Sequence, residues 1–223
     1  MPADPARELI ALGRTHFAEV AEFPEARALW WPRFARIARW FADWELARRL
    51  GLVAIDAEIE GEIRIPLGER VFKLRARADR IERRADRRYV IIDYKTGTAR
   101  TEKQVRTGLA PQLALEAAIL RQGGFAAIPA GVSVAELAYV LLKGAVPPGK
   151  HAAIDFEDGT PDTQADRALE KLTALVTRFE DESEPYRSLV HPMWKARYGD
   201  YDHLARVKEW SATGGPDEEI VIP

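Results

Sequence analysis

The chain has 223 residues, 47% hydrophobic and 30% charged, with a net charge of −2, a balance that suits a globular core and argues against a disordered chain. It has no cysteine, which excludes disulfides, thiolate zinc sites, cysteine nucleophiles and a cysteine-ligated iron–sulfur cluster, and fits a reducing cytoplasm. No apolar run approaches the roughly 18 residues of a membrane span, and the N-terminus lacks the apolar core of a signal peptide.

In chain order, Met1 to Ala21 reads as a helix opening near Asp4-Pro5, with Leu9, Leu12, His16, Phe17 and Val20 at helical spacing. His16 is simply part of that face. A second helix spans Pro24 to Leu50, its apolar stripe made by Phe34, Ile37, Phe41 and Trp44, with Gly51 as its C-terminal cap. Pro32 kinks this helix or restarts it as a first-turn residue. The aromatics at this spacing read as core rather than as a base-stacking platform. Leu52 to Pro66 alternates as a first strand with a polar glutamate face, and Gly61 marks a bulge or turn within it.

Val71 to Gly97 then reads as two strands around a tight polar corner. Phe72, Leu74, Ala76 and Ala78 alternate with charged residues, and the apolar run Tyr89 to Ile92 leads straight into Asp93-Tyr94-Lys95. Asp93 and Lys95 are two apart and so share a face. If Arg84 pairs with Arg88 across a three-residue corner, Asp79 falls directly opposite Asp93, with Cβ atoms roughly 5 Å apart. A two-residue turn would put them on opposite faces, so a shared site demands an odd loop or a bulge. Two carboxylates at that spacing repel unless a cation lies between them, and oxygen ligands suit Mg²⁺, with Mn²⁺ as a substitute. Lys95 would orient a metal-bound water or offset charge on a phosphate. The bland alternative is a set of strand-end surface charges, with Lys95 as a salt-bridge partner.

Thr96 to Gly108 is polar and basic, carrying Arg100, Lys103 and Arg106, and reads as a flexible loop poised as a lid. Pro111 opens a helix to about Gln122 that turns Leu113, Ala114, Ala117 and Leu120 inward, with Gln112 in its first turn. Val134 to Lys143 is a central strand. Gly144 to Lys150 has the spacing of a nucleotide phosphate loop, but two prolines and His151 in place of Ser or Thr argue against one. Ile154 to Gly159 reads as an edge strand and turn, Thr163 to Glu182 as an amphipathic helix, and the rest as an irregular tail with a short helix near His203 to Trp210. The pattern implies an α/β fold with a mixed central sheet, flanking helices and an antiparallel hairpin. Residues 1–51 form a helical segment packed on the core, 52–182 the core, and 183–223 the tail. Between Arg64 and Arg106 there are 14 Lys and Arg against 6 Asp and Glu, a basic stretch suited to a phosphate backbone or to a solvated strand face.

At Ala78-Asp79-Arg80-Ile81-Glu82, Ile91-Ile92-Asp93-Tyr94-Lys95-Thr96-Gly97 and Pro111-Gln112-Leu113-Ala114-Leu115-Glu116, the chain resembles the PD-(D/E)XK nuclease superfamily, in its RecB-like branch. The stretch Tyr198 to Arg206 and the overall layout are similar to the C-terminal nuclease domain of the AddB subunits of bacterial AddAB helicase–nucleases. The resemblance implies a restriction-endonuclease-like fold and a Mg²⁺-dependent deoxyribonuclease, of exonuclease type, in double-strand-break repair. It implies that Asp79, Asp93 and the Tyr94 carbonyl hold the metal, that Lys95 is the catalytic lysine, and that Gln112 supports the site and touches DNA. DNA with single-stranded or unwound ends and an AddA-type helicase subunit would be the partners. Arg77, Arg100, Lys103 and Arg106 would then grip the DNA backbone. The branch's Gly-x-x-x-His motif is not matched, since Gly13-Arg-Thr-His16 is one residue short. A DNA-binding or subunit-interaction scaffold with little activity of its own is the alternative function.

Overall fold

A computed structural model describes residues 2–18, 23–24 and 26–185. The chain divides into two compact units, Met1–Thr177 and Arg178–Pro223. The tail beyond residue 185, with the motif Tyr198 to Arg206, lies outside the described residues.

Helix α1 runs Pro5–Phe17; Asp4 caps it by accepting the Arg7 amide at 2.9 Å, and Pro5 opens it. A short π-helical turn, Ala26–Trp30, leads into α2, Trp31–Arg49, where Pro32 stands in the first turn. Proline restarts the helix there because its missing N–H is not needed at that position. Gly13 is buried in α1, and a side chain at this position would collide with the Phe34 ring of α2. That close approach accounts for the glycine, while His16 is exposed.

Five strands follow in sheet order β1-β2-β3-β4-β5: Leu52–Leu67, Arg70–Arg84, Tyr89–Lys95, Val134–Leu142 and Gly149–Ala153. The β1–β2, β2–β3 and β4–β5 pairs are antiparallel and β3–β4 is parallel. The sheet is therefore mixed, as its sequence pattern implies. β3 is central, buried on both faces. On the front, Tyr89 and Ile91 join Leu113, Ala117, Leu120 and Phe125; on the rear, Val90 and Ile92 meet Trp40 and Trp44 of α2.

The parallel β3–β4 pair needs a crossover, and α3 (Glu102–Arg106) and α4 (Gln112–Arg121) lie in it. The Thr96–Gly108 stretch is thus not the flexible loop expected. Thr101 and Gln104 form a reciprocal capping box, Val105 is fully buried, and Gln164 donates to the carbonyls of Val105 and Arg106 at 3.0 and 3.2 Å. These bonds fix the segment to α5, Pro161–Arg178, and rule out a free lid.

Two smaller expectations change, on Gly61 and on the edge strand, and one holds, on Gly144 to Lys150. Gly61 marks no bulge: β1 passes straight through it, and a Cβ there would lie 2.6 Å from the Phe125 ring that packs on it. The edge strand is Gly149–Ala153, just before the expected Ile154 to Gly159. Gly144 to Lys150 closes the β4–β5 hairpin, with the Lys143 and Gly144 amides donating to the Pro148 carbonyl, and opens no helix.

Candidate active site

The β2–β3 register brings the site together. Arg80 pairs with Ile92, Ile81 with Ile91, Glu82 with Val90 and Arg83 with Tyr89, and the Arg84 amide donates to the Arg88 carbonyl at 2.9 Å. The corner is the three-residue loop Ala85-Asp86-Arg87. Arg87 takes φ 67°, the left-handed residue that such odd hairpin loops need. Pairing ends at Arg80 and Ile92, one residue short of the two acids, and the same phase continued would set Asp79 beside Asp93. Consistent with that, Asp79 Oδ2 accepts the Tyr94 amide at 2.8 Å.

Asp93 is buried at the end of β3. Its Oδ1 accepts from Lys95 Nζ at 2.8 Å and from Gln112 Nε2 at 2.7 Å. Lys95 Nζ also lies 2.7 Å from Oδ2, without hydrogen-bond geometry, and Oδ2 accepts no hydrogen bond from the protein. Burial raises the Asp93 carboxyl above its ordinary range; Lys95 works to lower it and the charge of Asp79 to raise it. Gln112, the first residue of α4, thus points into the same space as the two aspartates.

Glu116 was not anticipated. It lies one helical turn after Gln112, is 3% exposed, and its Oε1 accepts from Gln112 Nε2 at 3.1 Å while Oε2 accepts nothing. Burial pushes its carboxyl up to about 7; Gln112 works against this and the charges of Asp93 and Asp79 add to it. The i to i+4 spacing Gln112-x-x-x-Glu116 was the available signal, obscured because Glu116 sits among inward apolar positions. Tyr139, paired with Asp93 across β3–β4, is a second unforeseen neighbour. Burial, with Asp93 and Glu116, drives its hydroxyl up to about 12 against the positive charge of Arg100.

The other expected contacts are dispersed. Arg77 is exposed and paired with Glu58 at 2.9 Å. Arg106 donates to the Asp155 carbonyl at 3.1 Å and pairs with Glu157 at 3.0 Å. Lys103 is exposed on α3. Much of the basic stretch is neutralised locally, since Arg75 pairs with Glu62 and Arg84 with Glu136.

Glu116 Oε2, buried without a hydrogen bond, and Asp93 Oδ2, faced by the Lys95 ammonium at 2.7 Å, are donors of the hard-oxygen kind that Mg²⁺ or Mn²⁺ takes. The donor set therefore suits such an ion, although among the described residues no three His, Asp or Glu side chains already form a cluster able to hold one.

Residues 3–198 match the family model described as the PD-(D/E)XK nuclease superfamily. The chain belongs to that superfamily. The mixed sheet and flanking helices accord with its restriction-endonuclease-like fold. Superfamily members are generally metal-dependent nucleases, typically with Mg²⁺ or Mn²⁺. Similar proteins are uncharacterized: RT0391 of Rickettsia typhi is 34% identical over 99 residues, covering 44% of this chain and 12% of that protein. A protein of Rickettsia bellii is 27% identical over 187 residues, covering 78% of this chain and 22% of that protein. The chain thus spans less than a quarter of the length of these relatives. The solved structure titled "Crystal structure of SSO0001" is similar at 16% identity and a TM-score of 0.33, covering 79% of this chain and 78% of that one. Among the described residues no helix is long and apolar enough to cross a membrane.

Proposed function

We infer that this chain hydrolyses DNA phosphodiesters with a divalent ion held by Asp79, Asp93 and the Tyr94 carbonyl, Mg²⁺ being the natural occupant and Mn²⁺ a substitute. The observation that carries the reading is the convergence of Asp79, Asp93, Lys95 and Gln112 from three elements, with Glu116 Oε2 buried beside them without a hydrogen bond. The bound ion supplies polarisation of the scissile phosphate and a more acidic water. Lys95 orients the attacking water or offsets the charge that develops on the phosphate. Gln112 holds Asp93 from the side and faces the DNA. Arg100 and Lys103 contact the phosphate backbone without reading sequence.

The finer reading is an exonuclease acting on single-stranded or unwound ends, as the nuclease domain of an AddB-type subunit that works with an AddA-type helicase in the cytoplasm during double-strand-break repair. The likeness of the motif set and of Tyr198 to Arg206 to that domain supports it. The test is cleavage of end-labelled single-stranded and duplex DNA with Mg²⁺ or Mn²⁺ by the parent and by Asp93→Ala. Loss of cutting in the variant is expected, and equal cutting by both would falsify the reading.

A second reading, a DNA-binding or subunit-interaction scaffold, draws on one observation. Lys95 and Gln112 already occupy Asp93 Oδ1, and no three-ligand cluster stands among the described residues. A Mg²⁺-independent DNA affinity with no cleavage, with or without the helicase subunit, would favour it.

A further inference from the structure

The residues between the site's acids face the other way. Arg80 follows Asp79 and Tyr94 follows Asp93, and both enter a buried charge network on the rear of the sheet, against α2. Arg80 Nε donates to Glu82 Oε1 at 2.7 Å, and Nη1 donates to Glu45 Oε2 at 2.7 Å and to the Tyr94 hydroxyl at 3.3 Å. Arg48 of α2 closes the other side of Glu82 at 2.8 Å and reaches Glu136 of β4 at 3.2 Å. Trp44 lies under both guanidiniums, with ring centroids 5.3 Å from Arg80 and 5.5 Å from Arg48. Arg80, Glu82 and Glu45 are all buried.

Such a network is a poor way merely to glue a helix to a sheet. Apolar side chains of similar volume generally do that as well or better, because buried charges first lose their hydration. What the fork of a guanidinium adds is direction: three partners on two strands and a helix fix its plane, and with it the backbone of its neighbours. We propose that Arg80 is a positioning residue for the hydrolytic site, with Glu45 and Trp44 of α2 as the template that holds Asp79 and Asp93 at their working separation. This rests on the reading of the front face as a metal-dependent nuclease site.

The test uses the whole chain and two readouts: Mn²⁺ binding by calorimetry without DNA, and steady-state cleavage of single-stranded DNA. Arg80→Met, Glu45→Leu and Glu82→Leu are combined, so that no member of the trio is left charged and alone. The expected protein unfolds cooperatively near the parent's midpoint, binds Mn²⁺ at least tenfold more weakly, and loses at least tenfold in kcat with KM for DNA within twofold. Arg80→Lys alone, which keeps the charge but not the fork, should fall between the two. Parent-like Mn²⁺ binding and cleavage, within twofold, in the combined variant would overturn the proposal. Were that variant unable to fold, the same comparison on Arg80→Lys decides, with parent-like values again overturning it. A parent that binds Mn²⁺ but cuts no DNA would defeat the nuclease reading instead, leaving the Mn²⁺ comparison to judge Arg80.

Discussion

The two faces of the β2–β3 hairpin carry similar side chains to opposite ends. On the rear, Glu82 lies between Arg80 and Arg48, and Glu136 meets Arg48, Arg84 and His151. On the front, Asp79, Asp93 and Glu116 have one lysine and one glutamine among them, and two carboxylate oxygens are buried without hydrogen bonds. The rear also has two buried atoms without hydrogen bonds, Arg80 Nη2 and His151 Nδ1, but each of its carboxylates faces at least one guanidinium, and that charge balance makes a scaffold. Burial without enough partners makes a place that a cation or a proton must complete.

Asp93→Asn separates the faces most sharply. It keeps the shape and removes the charge, so cleavage should fall by at least about 100-fold while cooperative unfolding persists; retained cleavage would show that the unmatched charge on the front has no chemical use. On the rear the effect should be on stability. Glu82→Ala removes the buried carboxylate that Arg80 and Arg48 share, and urea unfolding should register a loss of about 3–5 kcal/mol. A loss below about 1 kcal/mol would mean that the rear pairs contribute nothing special.

Acidity should distinguish the faces by sign. Glu116, raised by burial to about 7, holds a proton in the folded state that the unfolded chain gives up near 4.5. Metal-free stability should therefore fall as pH rises from about 4.5 through 7. Glu116→Gln should flatten that fall, on the order of 1–3 kcal/mol at pH 8. Burial also acts to raise Glu136, but the His151 hydrogen bond and the charges of Arg48 and Arg84 overcome it and hold the carboxyl down at about 2. Its contribution is present above about 4.5 and is lost as pH falls towards 2, and Glu136→Gln should remove that acid limb. The smallest effects concern the arginines. Arg100→Ala and Lys103→Ala should each lower the salt dependence of DNA binding by about one ion. Arg77→Ala, already matched to Glu58, should change affinity by less than twofold.

The distribution of what was legible follows contact range. The Asp79–Asp93 register depends on the parity of one short corner, and the mixed sheet on local alternation and an apolar central strand. Both are local signals that a chain shows on its surface. The short helix α3 was missed although it has a local signal, the capping box Thr101-x-x-Gln104, because the basic composition of the stretch reads as a loop. Glu116 was harder, because burial of a carboxylate leaves no trace in periodicity. The rear network was out of reach: Arg48 meets Glu136 across 88 residues and Arg80 meets Glu45 across 35, and only the folded sheet brings them together.

The Ala85-Asp86-Arg87 corner touches no substrate and lies at the far end of the hairpin from the acids, yet it governs their phase. Its length matters more than its composition. Adding or removing one residue there would rotate every following side chain of β3 by half a period, turning Asp93 and Lys95 to the back and Tyr94 to the front. A chain altered in that way could keep all its motif letters and still be mute, so the spacing between the two acids is as much a part of the site as the acids themselves.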